Sequence, residues 1–561
     1  MPKSKNPLRY VVKIHSARLR KARWNLNVEV DELRRHAEMV SIGNSQLVDF
    51  IDELRERTDV NERGLQLKQR IKLITEQESS ILNRNNLARL REEFFNLTYL
   101  DDLIMVVMDN TKDFQKLCAE TFVFNGRRMK FLIATTGGVK TSTMMFVTED
   151  LYDELWRRLN NGRNESLKMI PAKLEAYMAL ACSSSVAVSD PAHVLVVQDC
   201  VTHFKDDIIH IKDADDGSDE PILTFEDNVD CELIESDGYG LISPELCKKW
   251  GIEIGEGGYV SGMNCRCAFV KGMLFTFPFQ RFAHEIAHET IVKDVWGQEH
   301  DIDTVDLILT TSQLKLWQAY SSWDDYWSNC QKNHYTFRIS KVCARHIEKE
   351  RTTNYQFIQP YNWTDEQVDG FIEPTIKAIK DMSTGDWMKT VLYVRGSGLT
   401  ADNVAESHND WTKALMTCPQ IMDDPFVKSK VKQMIKRRIE DAAIGVIDVH
   451  GNYCIISGDP FSLCQSIFGL EVTGLLKAGE CYHRYWADQQ ASEVTIFRAP
   501  MSCANNIRKL KVADSDMMRD WYSYMRTCLI LNSWDNTCAA LNGADRHTCL
   551  PGGKPSVKMT L

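Results

Sequence analysis

A chain of 561 residues predicts three to four domains of about 150 residues each, and its 43% hydrophobic content is enough to fill their cores, which excludes a disordered or fibrous chain. The net charge of −11 excludes a uniformly basic nucleic-acid coat but leaves room for a local positive cleft within an acidic shell. The 17 cysteines stand without a C-x-x-C pair in a chain too large to need disulfide staples, so they are expected as thiols in a reducing compartment, with the cytoplasm as location. The mixed, basic start "MPKSKNPLRYVVKIHSARLRKARW" lacks the apolar run of a signal peptide, and with no 18-residue apolar stretch in the chain no membrane partner is expected.

In chain order, helical periodicity runs from about residue 29 to 97, as in "LVDFIDELRERTDV" and "NNLARLREEFF", and residues 1–120 read as a helical N-terminal region. From about Thr121 to Val147 the pattern turns to β-branched and aromatic runs, then "EDLYDELWRRLNN" and "IPAKLEAYMALAC" bring helices back, so 121–189 is a mixed segment. "AHVLVVQDCV", "DIIHIKD" and "DLILTT" are short strands of a β-rich domain over 190–330. Between them "DADDGSDEP" reads as a solvated loop, because a Ca²⁺ loop needs a longer ligand pattern. "WTDEQVDGFIEPTIKAIKDM" and "VKSKVKQMIKRRIEDAAIG" give a helical insert over 331–444, and "GVIDVHGNYCIISGDPF" and "EVTIFRAPM" a second β-rich region over 445–549. Gly552, Gly553 and Pro555 oppose regular structure, so 550–561 is expected as an irregular, loosely packed tail. The fold class is α+β.

Several constellations carry candidate chemistry. "HEIAHE", from His284 to Glu289, satisfies H-E-x-x-H, in which two histidines one helical turn apart bind Zn²⁺ and Glu285 activates water. Its extended continuation and a third ligand are missing, so a helix without metal is expected. Cys330, His334, Cys343 and His346 have the ligand types of structural zinc in an unfamiliar spacing. "TTGGVKTST" lacks the order of a P-loop and is expected as a hairpin turn. "SDGYGLIS", over 236–243, puts two glycines around an aromatic before a strand, where the backbone can turn sharply beside a ligand. Arg266, Lys271 beside Gly272, and Lys315 in "TTSQLKLW" are three cations of one β-rich domain that could clamp a polyphosphate, the arginine by its fork and the lysines as point charges. Arg498 follows in "FRAPM", and "NGAD" occupies 542–545.

The order DGYGLIS, R-x4-KG, SQLKL, RAP and NGAD resembles the two-barrel RNA polymerases, most closely the eukaryotic-type RNA-dependent RNA polymerases and their relatives in bacteriophages and bacterial mobile elements, over about residues 130–545. The resemblance implies a first double-psi β-barrel, the helical insert and an incomplete second double-psi β-barrel, the two barrels facing each other across a cleft. It implies that Asp237 to Ser243 shape the first barrel, and that Arg266, Lys271 and Lys315 lie on neighbouring strands with their heads toward the incoming nucleotide and the growing 3′ end. Arg498 corresponds to an arginine of nucleotide-sugar recognition, and Asp545 to the first aspartate of the D-x-D-G-D loop that holds Mg²⁺.

His547, Thr548 and Cys549 stand where that loop has its second Asp, its Gly and its third Asp. Mg²⁺ requires a compact set of hard oxygen ligands, and one carboxylate is too few. An outside acid such as Asp459 would have to complete the site. The expected function is therefore template-directed RNA polymerisation, an RNA-dependent RNA polymerase-like nucleotidyl transfer that uses an RNA or DNA template and ribonucleoside triphosphates, with Mg²⁺ as the family's cofactor. The chain is expected to be a C-terminally truncated or frameshifted member, inactive in synthesis. A non-catalytic nucleic-acid-binding protein is the alternative, and a zinc hydrolase using His284, Glu285 and His288 a third.

Overall fold

The computed structural model describes residues 9–57, 98–212, 222–347, 349–353, 355–359, 362–395, 410–501, 503–541 and 557–560. They form three seven-stranded sheets with helices packed around them, an α+β architecture. The N-terminal sheet runs in the order Asn25–Leu26, Phe122–Phe124, Arg127–Ile133, Thr143–Thr148, Thr98–Val107, Arg9–His15, Met39–Ile42. The N-terminal region is thus not wholly helical as expected. Its strand Arg9–His15 is paired on both sides and buries the consecutive Val11 and Val12 together with Ile14, so it lacks the alternation that marks a half-exposed strand. The helix Gln46–Arg57 forms as expected, burying Leu47, Phe50, Ile51 and Leu54 at helical spacing, whereas "NNLARLREEFF" lies outside the described residues.

The central sheet runs Val186–Ala187, Arg338–Val342, Gly262–Cys267, Val270–Thr276, Tyr239–Ile242, Leu307–Thr310, Val194–Val197. Tyr239–Ile242 is parallel to Val270–Thr276 and Leu307–Thr310 is parallel to Val194–Val197, while the other pairings are antiparallel. The runs YGLI, LILT and VLVV are buried throughout, as strands covered on both faces must be. From this sheet a two-stranded ribbon departs, Val201–Lys212 antiparallel to Ile222–Ile234, much longer than the short strand expected in "DIIHIKD"; "DADDGSDEP" lies outside the described residues.

The C-terminal sheet runs Glu350–Thr352, Asp448–Ser457, Cys528–Leu531, Glu480–Tyr482, Ile507–Val512, Glu493–Arg498, Val557–Thr560. Val557–Thr560 also pairs with Asp448–Ser457, which closes six of these strands into a ring. The expected irregular tail therefore contains a strand. Its sequence VKMT alternates apolar and polar residues, a four-residue pattern too short to register beside Gly552, Gly553 and Pro555. The helical insert includes Asp365–Ser383, opened by a capping box between Thr364 and Gln367, and Pro425–Ala443, capped by Asp424 with Pro425 in the first turn.

The central and C-terminal sheets share one core, in which Leu195, Tyr239 and Phe275 meet Ile455, Phe461, Tyr522 and Ile530. Aromatic rings fill the seam: Phe461 stands edge-on to Phe282 at 4.9 Å, and Trp521 stacks on Phe277 at 5.9 Å. Among the described residues no helix is long and apolar enough to cross a membrane.

Candidate functional site

The glycines of "DGYG" act through their missing Cβ. Gly238 turns the chain in the left-handed region at φ 74°, and a Cβ on Gly240 would lie 2.2 Å from the Ile308 carbonyl and 2.4 Å from Gln313 Oε1. Gly272 is just as close, with a Cβ position 2.4 Å from the Gly238 carbonyl and 2.5 Å from Gln313 Nε2. The side chain of Gln313, fully buried, thus lies against both strands. Its Nε2 donates to the Met273 carbonyl at 2.9 Å and its Oε1 accepts from the Thr310 amide at 3.2 Å. Three separate motifs, DGYGLIS, R-x4-KG and SQLKL, meet around one amide.

The same packing gathers the cations. Arg266 and Lys271 are directly opposed across the hairpin Gly262–Cys267/Val270–Thr276, which puts both side chains on one face of the sheet. The Lys271 amide donates to the Gln313 carbonyl at 3.1 Å, and the Lys315 amide to the Phe269 carbonyl at 3.0 Å, so the segment carrying Lys315 runs along that hairpin. All three side chains are half-buried. The Arg266 guanidinium donates to Asn264 Oδ1 and, at 2.7 Å, to the Cys265 carbonyl. On the next strand Arg338 stands opposite Arg266, but it is buried, ion-paired with Asp49, and donates to Ser185.

Asp199, which the sequence did not single out, fixes the turn leading to Lys315. Its carboxylate accepts from Ser236 Oγ at 2.9 Å, Ser312 Oγ at 2.7 Å and the Ser312 amide at 2.8 Å, while Ser312 Oγ accepts from the Gly238 amide at 2.7 Å. The signal available was an acid two residues after the apolar run VLVV, just past the strand end, but nothing local tells such an acid from a turn former.

In the C-terminal sheet Arg498 ends the strand Glu493–Arg498 and donates through Nη1 to the Leu541 carbonyl at 3.2 Å. Asn506 Nδ2 donates to the neighbouring Ala540 carbonyl at 2.8 Å. The approach to "NGAD" is therefore tied to the "RAP" strand, whereas Asp545, His547 and Cys549 lie outside the described residues. Asp459 is not a spare acid. It caps the helix Pro460–Ile467, with Oδ1 accepting from the Phe461 amide at 2.9 Å and Tyr522 Oη at 2.6 Å, and Oδ2 accepting from the Leu475 amide at 2.8 Å. Burial pushes its carboxyl upward in pKa against those bonds. Its own amide donates to Glu235 Oε1, and Glu235 Oε2 accepts from Tyr239 Oη at 2.8 Å, so a buried acidic link joins the two sheets.

The other constellations do not converge. His284 Nε2 is 2.9 Å from Asp303 Oδ1, and His288 lies past the end of a wide helical turn in the left-handed region, its Nδ1 donating to the His284 carbonyl at 2.9 Å. Two imidazoles on successive turns of one helix face, which zinc ligation by H-E-x-x-H needs, are absent from this segment, and Glu285 accepts from Arg281. Cys330 and Cys343 sit in different cores, His334 is 3.3 Å from Glu53, and His346 is exposed. "TTGGVKTST" makes one helical turn, Thr136–Lys140, capped by Thr135, between the antiparallel strands Arg127–Ile133 and Thr143–Thr148. Among the described residues no group of three His, Cys, Asp or Glu side chains could hold a metal ion, so the described donors do not fit Mg²⁺.

A family model described as RNA dependent RNA polymerase matches residues 75–544. The DNA-directed RNA polymerase YonO of Bacillus phage SPbeta is 28% identical over 421 residues, which are 72% of this chain and 46% of that protein. The RNA dependent RNA polymerase QDE-1 from Thielavia terrestris shares the fold with a TM-score of 0.51 and 12% identity, over 82% of this chain and 49% of that one. The chain spans about half the length of these relatives.

Proposed function

Because this chain belongs to the RNA-dependent RNA polymerase family, we propose that it binds a nucleic-acid template and ribonucleoside triphosphates as the nucleotide-handling part of a template-directed RNA polymerase. The observation that carries this reading is the meeting of DGYGLIS, R-x4-KG and SQLKL around Gln313, which sets Arg266, Lys271 and Lys315 along one hairpin. A triphosphate spreads its negative charge over only a few ångströms, so cations gathered on one sheet face complement it. Lys271 and Lys315 act as point charges on the phosphates, Arg266 as a fork, and Arg498 at the sugar. In the reaction, the 3′ hydroxyl oxygen attacks the α-phosphorus, the bond to the β-phosphate oxygen breaks, and pyrophosphate leaves.

Mg²⁺ supplies charge neutralisation and hydroxyl activation in this chemistry. Asp545 is the loop carboxylate that remains at the family's position, and we place the chain among members that bind their substrates but do not polymerise at a useful rate. Cytoplasmic residence accords with the 17 cysteines, which include no C-x-x-C pair. The test is primer extension on RNA and DNA templates with labelled ribonucleotides and Mg²⁺. We expect template and nucleotide binding that weakens in Lys271→Ala and Lys315→Ala, without incorporation. Robust incorporation abolished by Asp545→Ala would overturn the inactivity, and binding indifferent to both lysines would overturn the site.

A further inference from the structure

We propose that the ribbon Val201–Lys212/Ile222–Ile234 is a docking arm for a partner protein, which it takes as an added strand rich in lysine or arginine and aliphatic residues. The two strands pair with each other and with no third strand among the described residues, so both outer edges offer unpaired backbone groups. Cross-strand register puts Ile209 opposite Phe225 and Ile211 opposite Leu223, on one face of the ribbon. These four side chains are 55%, 68%, 70% and 51% exposed, an apolar surface that a soluble chain ordinarily covers.

The charge identifies the occupant. The two described strands, Val201–Lys212 and Ile222–Ile234, carry six Asp and Glu against two Lys, a net −4. Asp206, Asp207, Glu226, Asp227, Asp230 and Glu232 lie on the two described strands themselves. Such a field repels phosphate, which excludes a template or transcript, and attracts a cationic segment. Alternating basic and aliphatic residues in a strand would answer the edge, the apolar face and the charge together. Sheet edges are commonly guarded against stray pairing by lysines, and here acids stand in that role, leaving a basic strand as the one not repelled.

A free two-stranded ribbon is marginal in water, yet the base of this one is fastened to both large sheets. Thr202 Oγ1 donates to the Ser533 carbonyl at 2.6 Å, Asn536 Nδ2 donates to Asp206 Oδ2 at 2.9 Å, and Asp199 and Glu235 flank the strands with the bonds described above. A partner held on the ribbon is thus carried at a fixed place beside the segment that leads to Leu541.

The test uses the full chain and a fluorescein-labelled eight-residue peptide of alternating lysine and valine, read by anisotropy. A control peptide carries proline in place of the two central valines. We expect the first peptide to bind, at least about tenfold more weakly at 0.5 M than at 0.05 M salt, and the proline peptide not to bind. In the Ile211→Lys/Phe225→Lys variant, both sites being exposed, affinity should fall by at least about tenfold while the thermal midpoint is kept. Failure of the first peptide to bind overturns the proposal, as does equal binding by the proline peptide or by the variant. Displacement of the peptide by single-stranded RNA, or a ribbon-dependent dimer in sedimentation velocity, would assign the surface to another occupant and equally overturn it.

Discussion

The amide of Gln313 serves two main-chain groups at once, and its place between Gly240 and Gly272 leaves no room for a larger neighbour. Gln313→Ala removes both partners of a buried site. Leaving the Met273 carbonyl and the Thr310 amide unanswered is expected to destabilise the chain by about 2–4 kcal/mol, read as a lowered urea midpoint, and to weaken nucleotide binding through displacement of Lys271 and Lys315. A variant that loses stability with unchanged nucleotide affinity would separate Gln313 from the proposed site. His483 supplies a pH-dependent counterpart. Its Nδ1 accepts from the Tyr485 amide at 3.2 Å, which puts the ring proton on Nε2, and burial holds its pKa down at about 4, below the ordinary 6.5. The folded state thus keeps a neutral ring where the unfolded chain takes up a proton. The stability it contributes is complete above about pH 6.5 and is lost as the pH falls from there toward 4, at no more than about 1.4 kcal/mol per pH unit. Thermal midpoints of the wild type and His483→Asn, compared from pH 7.5 to 5, should converge as the pH falls. Parallel curves would mean that this ring does not govern the acid limb.

Among the elements, the helix Pro460–Ile467 is what locks the central and C-terminal sheets together: Asp459 caps it, Phe461 packs it against Phe282 and Trp521, and the Asp459 amide meets Glu235, which accepts from Tyr239 of the central sheet. Phe461→Ala is expected to cost about 3–5 kcal/mol and to open the seam to proteolysis before either sheet unfolds; a single cooperative transition with no early cleavage would show the sheets to be bound elsewhere. How much of this was legible follows from what each element shows locally. Amphipathic helices such as Glu149–Asn160, Asp365–Ser383 and Pro425–Ala443 announce themselves by period and caps, and the buried strands at Val194–Val197 and Leu307–Thr310 by short apolar runs. The N-terminal strands were hidden because Val11 and Val12 break the alternation, and the full length of the ribbon because only its DIIHIKD segment reads as a strand, while the exposed Leu223 and Phe225 of its second strand stand in ILTFED with too few repeats to show a period. The motif cations could be named from sequence, but the anchoring of their turn by Asp199 is a tertiary fact joining residues more than 100 positions apart.

For the whole molecule, the central sheet carries the cations, and the C-terminal sheet carries the approach to "NGAD", held by Arg498 and Asn506. If the family's chemistry is limited here only by the missing carboxylates, rewriting Asp545-Arg546-His547-Thr548-Cys549 through His547→Asp, Thr548→Gly and Cys549→Asp restores D-x-D-G-D. Hard divalent ions prefer clustered carboxylate oxygens to imidazole and thiol, so this variant should gain affinity for Mn²⁺, a spectroscopic stand-in for Mg²⁺, measured by loss of the free-ion EPR signal. Adding Asp545→Ala to the triple variant should reverse the gain. Labelled ribonucleotide incorporation should appear with the triple variant and disappear again when Lys271→Ala is added, since a metal cluster without phosphate neutralisation cannot hold the leaving pyrophosphate. The two readouts part company informatively. Mn²⁺ affinity gained without incorporation would place the defect in the architecture around the loop, whereas incorporation by the unaltered chain at the same rate as the triple variant would show that one aspartate already suffices and would refute the carboxylate deficit as the cause of inactivity.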